Sequence, residues 1–363
     1  MKAILSALIA IFLVMVNVRA QLFTAEENNI CADCHEDIYR QWENSMHGKS
    51  TAESDILYKA MLNWAIEDTK GKAKKMCVQC HTPYQALKEE EGITESDLNR
   101  PVDCVYCHSL ENIQNYPKFS KTFYGPRDNN REQFHKIEKR THFTDATLCL
   151  TCHGELKNPK QVSVCITGDE FMSRPDKSKI CQDCHMPKTE NKDGRSYAQH
   201  SFLGVHNPEF LRKSLSLKTS DTENGLEVAI TNDKAAHAYP TGSPLRQVIV
   251  KVVAKDKDDN LVFENWKENP LKEDKQAVFM RIFEDENKNA PVPPWRGTAV
   301  KMDQRLAPGE TRILKYDLPE NAQTVTVKLV FRLAPLPILK RLGINDPYLY
   351  KAHLIDEKTV QLH

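Results

Sequence analysis

Hydrophobic and polar residues alternate along the second half of the chain. Leu226, Val228 and Ile230 are separated by Glu227 and Ala229, which is the period of a half-buried strand. Similar runs lie at 246–254, 261–264, 277–283, 311–318, 325–333 and 353–361, with turn residues at 258–260 and 308–309 and a short helix at 336–343. This pattern predicts an antiparallel immunoglobulin-like β-sandwich over residues 213–363.

The first half of the chain shows helical spacing instead. Tyr39, Trp42 and Met46 follow His35 at intervals that place them on one helix face, and residues 50–76 carry a further apolar stripe. We therefore predict an α+β protein of two domains. A helical and loop-rich domain covers residues 21–212, and the stranded domain follows it.

The first twenty residues have the pattern of an export signal. Lys2 precedes an apolar run at 3–16, and Ala20 ends the segment as a small residue. The run is shorter than the about 20 residues of a membrane span. We predict a signal peptide at 1–20 and a periplasmic or extracellular prokaryotic protein, with an uncleaved anchor as the alternative.

One short pattern, C-x-x-C-H, occurs five times between residues 31 and 185. It contains ten cysteines and five histidines: Cys31, Cys34 and His35; Cys77, Cys80 and His81; Cys104, Cys107 and His108; Cys149, Cys152 and His153; Cys181, Cys184 and His185. The pattern is the attachment signature of c-type haem, in which the thiols become thioethers and the histidine is the proximal iron ligand. It predicts five covalently attached haems. We number the motifs one to five in chain order.

A zinc site or a disulfide framework accounts for the cysteines less well. A structural zinc site uses four ligands and would leave one of five pairs without a partner. Neither zinc nor a disulfide framework requires a histidine after every second cysteine. Cys165 is the eleventh cysteine; it is expected to be a small buried residue, with intermolecular pairing as the alternative.

Several histidines outside the motifs are candidates for the second, distal position on each iron. On a straight helix His47 would lie about 18 Å from His35, so it would ligate a neighbouring haem or lie at the surface. His135 and His142 are seven residues apart, and we expect one of them to be a ligand, His142 before His135. His200 and His206 follow the last motif as further candidates.

These residues carry a family resemblance. The first motif followed by Trp42, Ser45 and His47 resembles multihaem cytochromes c related to the tetrahaem partner of hydroxylamine oxidoreductase. The resemblance covers roughly 27–210 and includes His200-Ser201-Phe202 after the last motif. It implies that His47 and His200 are distal ligands, with His206 a weaker candidate.

A stiff loop at 232–242 presents His237 between two strands. Its sequence, His237-Ala238-Tyr239-Pro240-Thr241-Gly242, is similar to a loop in multihaem cytochromes that carry a C-terminal sandwich. We hypothesise that His237 is a distal ligand that connects the two domains. The alternative is a hydrogen-bonded histidine at the interface.

Charge favours protein partners over nucleic acid. Without residues 1–20 the chain has 48 basic and 50 acidic residues. Ten haem propionates and five ferric irons bring the net charge to roughly −7. We expect redox proteins or another multihaem cytochrome as partners.

Three functions fit these features. The first is electron transfer through closely packed, mostly bis-histidine haems, with no catalytic residue. The second is an enzyme that reduces or oxidises a small nitrogen or sulfur species at one haem with an open position; the C-x-x-C-K motif of pentahaem nitrite reductases does not occur in the sequence. The third is a homo-oligomeric filament subunit.

Overall fold

A computed structural model describes residues 28–87, 98–111, 113, 122–128, 135–174, 176–191 and 194–362. The predicted signal peptide lies outside these residues. Within the described part, every helix is too short or too polar to cross a bilayer. The structure is a mixed α+β fold, and we describe it as a motif segment (28–212) followed by a sheet segment (214–362).

The motif segment consists of short helices and three small strand pairs. Its α-helices are α1 Asn28–Ala32, α2 Glu36–Glu43, α3 Ile56–Thr69, α4 Lys74–His81, α5 Pro83–Ala86, α6 Cys104–His108, α7 Thr147–His153, α8 Thr167–Ser173, α9 Cys181–His185 and α10 Pro208–Arg212, with a 3₁₀ turn at Thr141–Phe143. Its strands are β1 Phe123–Gly125 with β2 Ile137–Lys139 in parallel, and the antiparallel pairs β3 Leu156–Lys157 with β4 Ser163–Cys165 and β5 Lys188–Glu190 with β6 Ser196–Ala198.

Two helices are shorter than the sequence predicts. Helix α2 ends at Glu43, and the side-chain amide of Asn44 donates to the Arg40 carbonyl. His47 therefore lies in a turn beyond the helix, and the straight helix assumed in its distance from His35 is wrong. The predicted extent of the helix over 50–76 is also wrong, because α3 covers only Ile56–Thr69. Asp55 caps α3 by accepting from the Tyr58 N–H, and Lys70 ends it in the left-handed conformation.

The sheet segment contains ten strands. They are β7 Ser216–Thr222, β8 Gly225–Thr231, β9 Gln247–Lys255, β10 Leu261–Glu264, β11 Val278–Phe279, β12 Arg281–Glu284, β13 Ala299–Asp303, β14 Thr311–Asp317, β15 Thr324–Arg332 and β16 His353–Gln361. Between them lie α11 Pro270–Glu273, α12 Leu336–Arg341 and α13 Pro347–Tyr350, with 3₁₀ turns at Lys275–Ala277 and Pro294–Arg296. The predicted run 277–283 is divided at Met280 into β11 and β12, and the sequence pattern does not predict β7 or β13.

All of these strands pair in antiparallel fashion. The larger sheet has the order β10-β9-β15-β16, with β11 also on β9, and the smaller sheet has the order β14-β8-β7. β12 and β13 form a separate pair. The turns predicted at 258–260 and 308–309 contain Asp259 and Gly309, both with positive φ, as tight turns require.

One hydrophobic core joins the two sheets. Val228 and Ile230 of the smaller sheet and Val250, Val327 and Leu329 of the larger one belong to the same cluster, and each is 0% exposed. Burial of such a side chain contributes roughly 1.5–3 kcal/mol to folding. This core is the reason that the period-two pattern is clear in the sequence.

Polar contacts connect the sheet segment to the motif segment at two places, the loop that carries His237 and residues 294–297. Glu170 of α8 accepts from the Ala238 N–H at 3.2 Å and from the Thr241 hydroxyl at 2.9 Å. Asn158 donates to the carbonyls of Pro294 and Gly297, both at 2.8 Å. The loop that carries His237 is thus fixed against the motif segment.

Candidate metal centres

Each C-x-x-C-H motif lies on or beside a helical turn. Four of them end a helix at the histidine, in α4, α6, α7 and α9, whereas the first spans the break between α1 and α2. On a helical turn the two cysteines are three residues apart and the histidine four from the first, so all three project from one side. This is the arrangement that a group attached through two thioethers and ligated from one face requires.

Four of the five motif histidines face a second histidine from a distant part of the chain. The ring centroids are 6.1 Å apart for His35 and His135, and 6.1 Å for His153 and His47. They are 6.4 Å apart for His108 and His200, and 6.3 Å for His185 and His237. Four independent pairs therefore have nearly the same separation.

This separation fits two imidazoles on opposite sides of one metal ion. Metal–nitrogen bonds of about 2 Å and a ring radius of about 1.2 Å place the two centroids roughly 6 Å apart. The stacked rings of Tyr58 and His81 are closer, with centroids 3.8 Å apart. The four pairs are thus spaced for an axially ligated iron between them.

Hydrogen bonds to the backbone orient several of these rings. Nδ1 of His81 lies 3.2 Å from the Ser50 carbonyl, and Nδ1 of His108 lies 2.7 Å from the Tyr124 carbonyl. Likewise, Nδ1 of His200 contacts the Ala198 carbonyl at 2.7 Å, and Nδ1 of His237 the Ala238 carbonyl at 2.9 Å; His185 bonds to the Leu203 carbonyl. A proton on Nδ1 leaves the Nε2 lone pair free for a metal.

Burial favours the neutral form of four of the paired imidazoles. It lowers the pKa of His47 to about 3, and that of His153, His200 and His237 to about 4. Neighbouring histidines add to the effect in each case. Neutral imidazole is the form that binds a metal, so these rings are available as ligands at neutral pH.

His81 of the second motif is different from the other four. Tyr58 of α3 stacks on its ring at an interplanar angle of 7°. Among the histidines in the described part of the chain, none lies about 6 Å from His81 as a partner. Tyr58 itself is buried.

The remaining candidate histidines lie elsewhere. His142 is buried and contacts Phe143, which in turn stacks on His108; His142 Nε2 has no partner among the residues described. The geometry thus favours His135 over His142, the reverse of the order expected from the sequence. His206 lies beside Tyr348 in the sheet segment, 3.4 Å from its hydroxyl, and faces no motif histidine.

Thiols of different motifs approach one another. A hydrogen bond with Cys31 raises the pKa of Cys104, one with Cys152 raises that of Cys80, and one with Cys181 raises that of Cys149. Burial, with the charges of Asp103 and Cys152, raises the pKa of Cys107 to about 12. Motif one thus adjoins motif three, and motif four adjoins motifs two, three and five.

The structure supports neither a disulfide framework nor a zinc site. None of the eleven cysteines, Cys165 included, forms a disulfide. Among the described residues, no three His, Cys, Asp or Glu side chains group as a metal site of the zinc type. Cys165 is half-buried at the end of β4, with its Sγ 3.6 Å from the Thr167 hydroxyl.

Comparison with known proteins agrees with this geometry. The family model described as cytochrome c554 and c-prime matches residues 30–109. The crystal structure of a penta-haem cytochrome c552 from Thermochromatium tepidum superposes with a TM-score of 0.80 and 28% identity, over 92% of this chain and 98% of that one. These findings support a multihaem c-type cytochrome.

A second relative matches over a smaller part of both chains. Cytochrome c-552 of Haemophilus ducreyi is 26% identical over 196 residues, which is 52% of this chain and 31% of that protein. The chain therefore spans about a third of that relative. The similarity to multihaem cytochromes supports haem c as the cofactor and electron transfer as the role, whereas a specific relation to the tetrahaem partner of hydroxylamine oxidoreductase is not shown.

Proposed function

We propose that this protein is an exported pentahaem cytochrome that conducts electrons between redox partners. The observation that supports the proposal most directly is the set of four histidine pairs, 6.1–6.4 Å apart, each beside a C-x-x-C-H motif. Haem c supplies an iron that gains and loses one electron, and two imidazole ligands leave it no position for a substrate.

The residues of this chain would attach the haems, orient the iron ligands and set the distances between the haems. The ten motif cysteines would hold five haems, with His35, His108, His153 and His185 as proximal ligands opposite the four partners His135, His200, His47 and His237. The cysteines of neighbouring motifs lie close together, so the attachment points would be close together as well. Motif four has three such neighbours and would be the junction of the network.

We also propose the finer features expected from the sequence. Residues 1–20 would direct export, with the protein acting in the periplasm or outside the cell. The two sheets would form an immunoglobulin-like sandwich, because they share one core and pair only in antiparallel fashion. In this arrangement the sheet domain supplies one iron ligand, His237, to the haem domain.

A second candidate function is supported by the second motif. His81 faces no other described histidine, so an iron bound there would keep one position open to a small molecule. The reaction would be the reduction or oxidation of a small nitrogen or sulfur species. Here Ser50 and Tyr58 would hold His81 in place, and motif four would connect the site to the other haems.

Iron analysis and electron paramagnetic resonance of the ferric holoprotein test both proposals. We expect five irons per chain, four low-spin and one high-spin, with cyanide binding only at the high-spin iron in the ferric protein and CO only at the same iron after reduction. Turnover of nitrite, hydroxylamine or sulfite would favour the enzyme. Reversible reduction without turnover would favour the conduit, and fewer than five covalent haems would contradict both.

A further inference from the structure

Three arginines surround a small cavity beside the His237 loop. Arg246 follows the loop, Arg281 begins β12 and Arg305 follows β13; Thr241 and Ser243 line the same cavity. Its volume is about 10 Å³. This is close to the room that one water-sized group needs, so a single carboxylate oxygen fits whereas a whole sulfate or phosphate ion does not.

Arg305 makes the shortest contacts with the two nearby carboxylates, Glu170 and Asp303. Its Nη1 lies 2.6 Å from Oε1 of Glu170, and its Nε and Nη2 each lie 2.8 Å from Asp303. Arg281 has only a long ion pair, 3.5 Å from Nε to Asp303, although its side chain is 10% exposed. The buried Nε and Nη1 of Arg281 make no hydrogen bond to any described residue.

Arg246 forms no ion pair with a carboxylate in the described part of the chain. Its Nη1 donates to the Thr241 carbonyl at 2.9 Å. Burial lowers the pKa of Arg246, but a guanidinium keeps its charge in proteins. Arg305 thus makes the close ion pairs with both nearby carboxylates, and Asp55 acts on Arg246 only through its charge. Burying a charged group without a direct partner is costly, which indicates that a further anion belongs here.

The position of the cavity identifies the source of this anion. Pro240, Thr241 and Gly242 line it and belong to the loop of His237, and the His237 ring faces His185 of the fifth motif at 6.3 Å. Haem propionates are the carboxylates that attachment at this motif would bring to this place.

We propose that Arg246 and Arg281 bind the carboxylate of a haem propionate. The contact would join the sheet segment to the bound haem at a second point besides His237. It would also place a fixed positive charge beside that haem and raise its reduction potential. The inference rests on haem attachment but not on whether the protein is a conduit or an enzyme.

The test compares the holoprotein with Arg246→Gln, Arg246→Lys and Arg281→Gln. Spectroelectrochemical titration over a range of pH should show one haem potential shifted to more negative values in both Gln variants. The pH at which this potential changes should rise, because the propionate loses its cation. The propionate-bending band in resonance Raman spectra should shift in the same variants, and Arg246→Lys should restore the potential in part.

Arg296→Gln is the matched control, because Arg296 pairs with Asp68 and does not line this cavity. Iron content of five per chain in each variant separates loss of this contact from failed haem attachment. Unchanged potentials and Raman bands in both Gln variants would overturn the proposal. It would equally be overturned if added acetate or formate raised the melting temperature of the parent protein but not of Arg246→Gln, since the anion would then come from solution.

Discussion

The imidazole of His237, in the sheet segment, lies 6.3 Å from that of His185 and is inclined to it by only 14°. The two residues belong to different halves of the chain, and contacts from Glu170 hold the loop of His237 in place. An iron between the two rings would therefore link the halves directly.

We expect His237→Ala to convert one low-spin iron to high-spin without loss of iron. The fifth haem would keep His185 and both thioethers but lose its distal ligand. His206→Ala is the control, since His206 contacts Tyr348 and no motif histidine. Electron paramagnetic resonance measures the change, and an unaltered low-spin signal in His237→Ala would show that His237 is not a ligand.

The pair His135 and His142 gives a similar comparison in the motif segment. His135→Ala should produce a new high-spin iron, because His135 is the partner 6.1 Å from His35. His142→Ala should leave the spin states unchanged, because His142 contacts Phe143 rather than a motif histidine. The opposite result would favour the assignment that sequence spacing suggests.

Asn158 should be a strong contributor to stability. It is 2% exposed, donates to the Pro294 and Gly297 carbonyls, and accepts from the N–H groups of Lys160 and Val162 at 2.9 Å. Asn158→Ala should lower the free energy of unfolding by about 2–3 kcal/mol, because buried backbone groups lose their partners. Asn158→Asp should cost more, because its carboxylate cannot donate to the two carbonyls.

Denaturant unfolding measures these effects, and Asn287→Ala, at an exposed turn, is the control. The haem spectra should remain unchanged in all three variants. A cost for Asn158→Ala no larger than that for Asn287→Ala would contradict the proposed importance of these bonds.

The ion pair between Asp68 and Arg296 predicts a pH dependence. The hydrogen bond from Arg296 lowers the pKa of Asp68, and Trp295 donates to the same carboxylate at 2.6 Å. A lowered carboxyl pKa means stabilisation that is present above the unfolded value of about 3.9 and is lost as pH falls through the folded value. Asp68→Asn should cost about 1 kcal/mol at pH 7, since Arg296 is half exposed.

This cost should shrink below about pH 4 and disappear in more acidic solution. Unfolding of the parent, Asp68→Asn and Glu67→Gln across this range measures it. Glu67 adjoins Asp68 in α3 but has no ion pair within the described residues. A difference between the parent and Asp68→Asn that stays constant with pH would exclude the ion pair as its cause.

Local features of this protein are easier to predict from sequence than long-range ones. Leu226, Val228 and Ile230 alternate because one face of β8 is buried, so this strand is evident from its pattern. The motif cysteines and histidines are equally clear, because attachment chemistry fixes their spacing. By contrast, the end of α2 is marked by side-chain bonds from Asn44 to the Arg40 carbonyl and from Ser45 to the Trp42 carbonyl, which no periodicity records.

The partner of each motif histidine could not be predicted from the positions of the histidines along the sequence. His135 and His142 lie in the same stretch of sequence, and only the folded chain brings His135 to His35. Tyr58 gives no sign in the sequence of its stacking on His81, because an aromatic residue in a helix most often packs in the core. Arg246 likewise becomes informative only when its neighbours are known.

The paired histidines are far apart along the chain: His35 and His135 are separated by 100 residues, and His47 and His153 by 106. Closing a loop of this length costs about 4 kcal/mol of chain entropy. Contacts between residues so far apart in the sequence lower the folding rate. Pairing of the proposed distal histidines with their irons would therefore be a late step of folding. A chain with covalently bound haems but mismatched distal histidines would be a kinetic trap during its maturation.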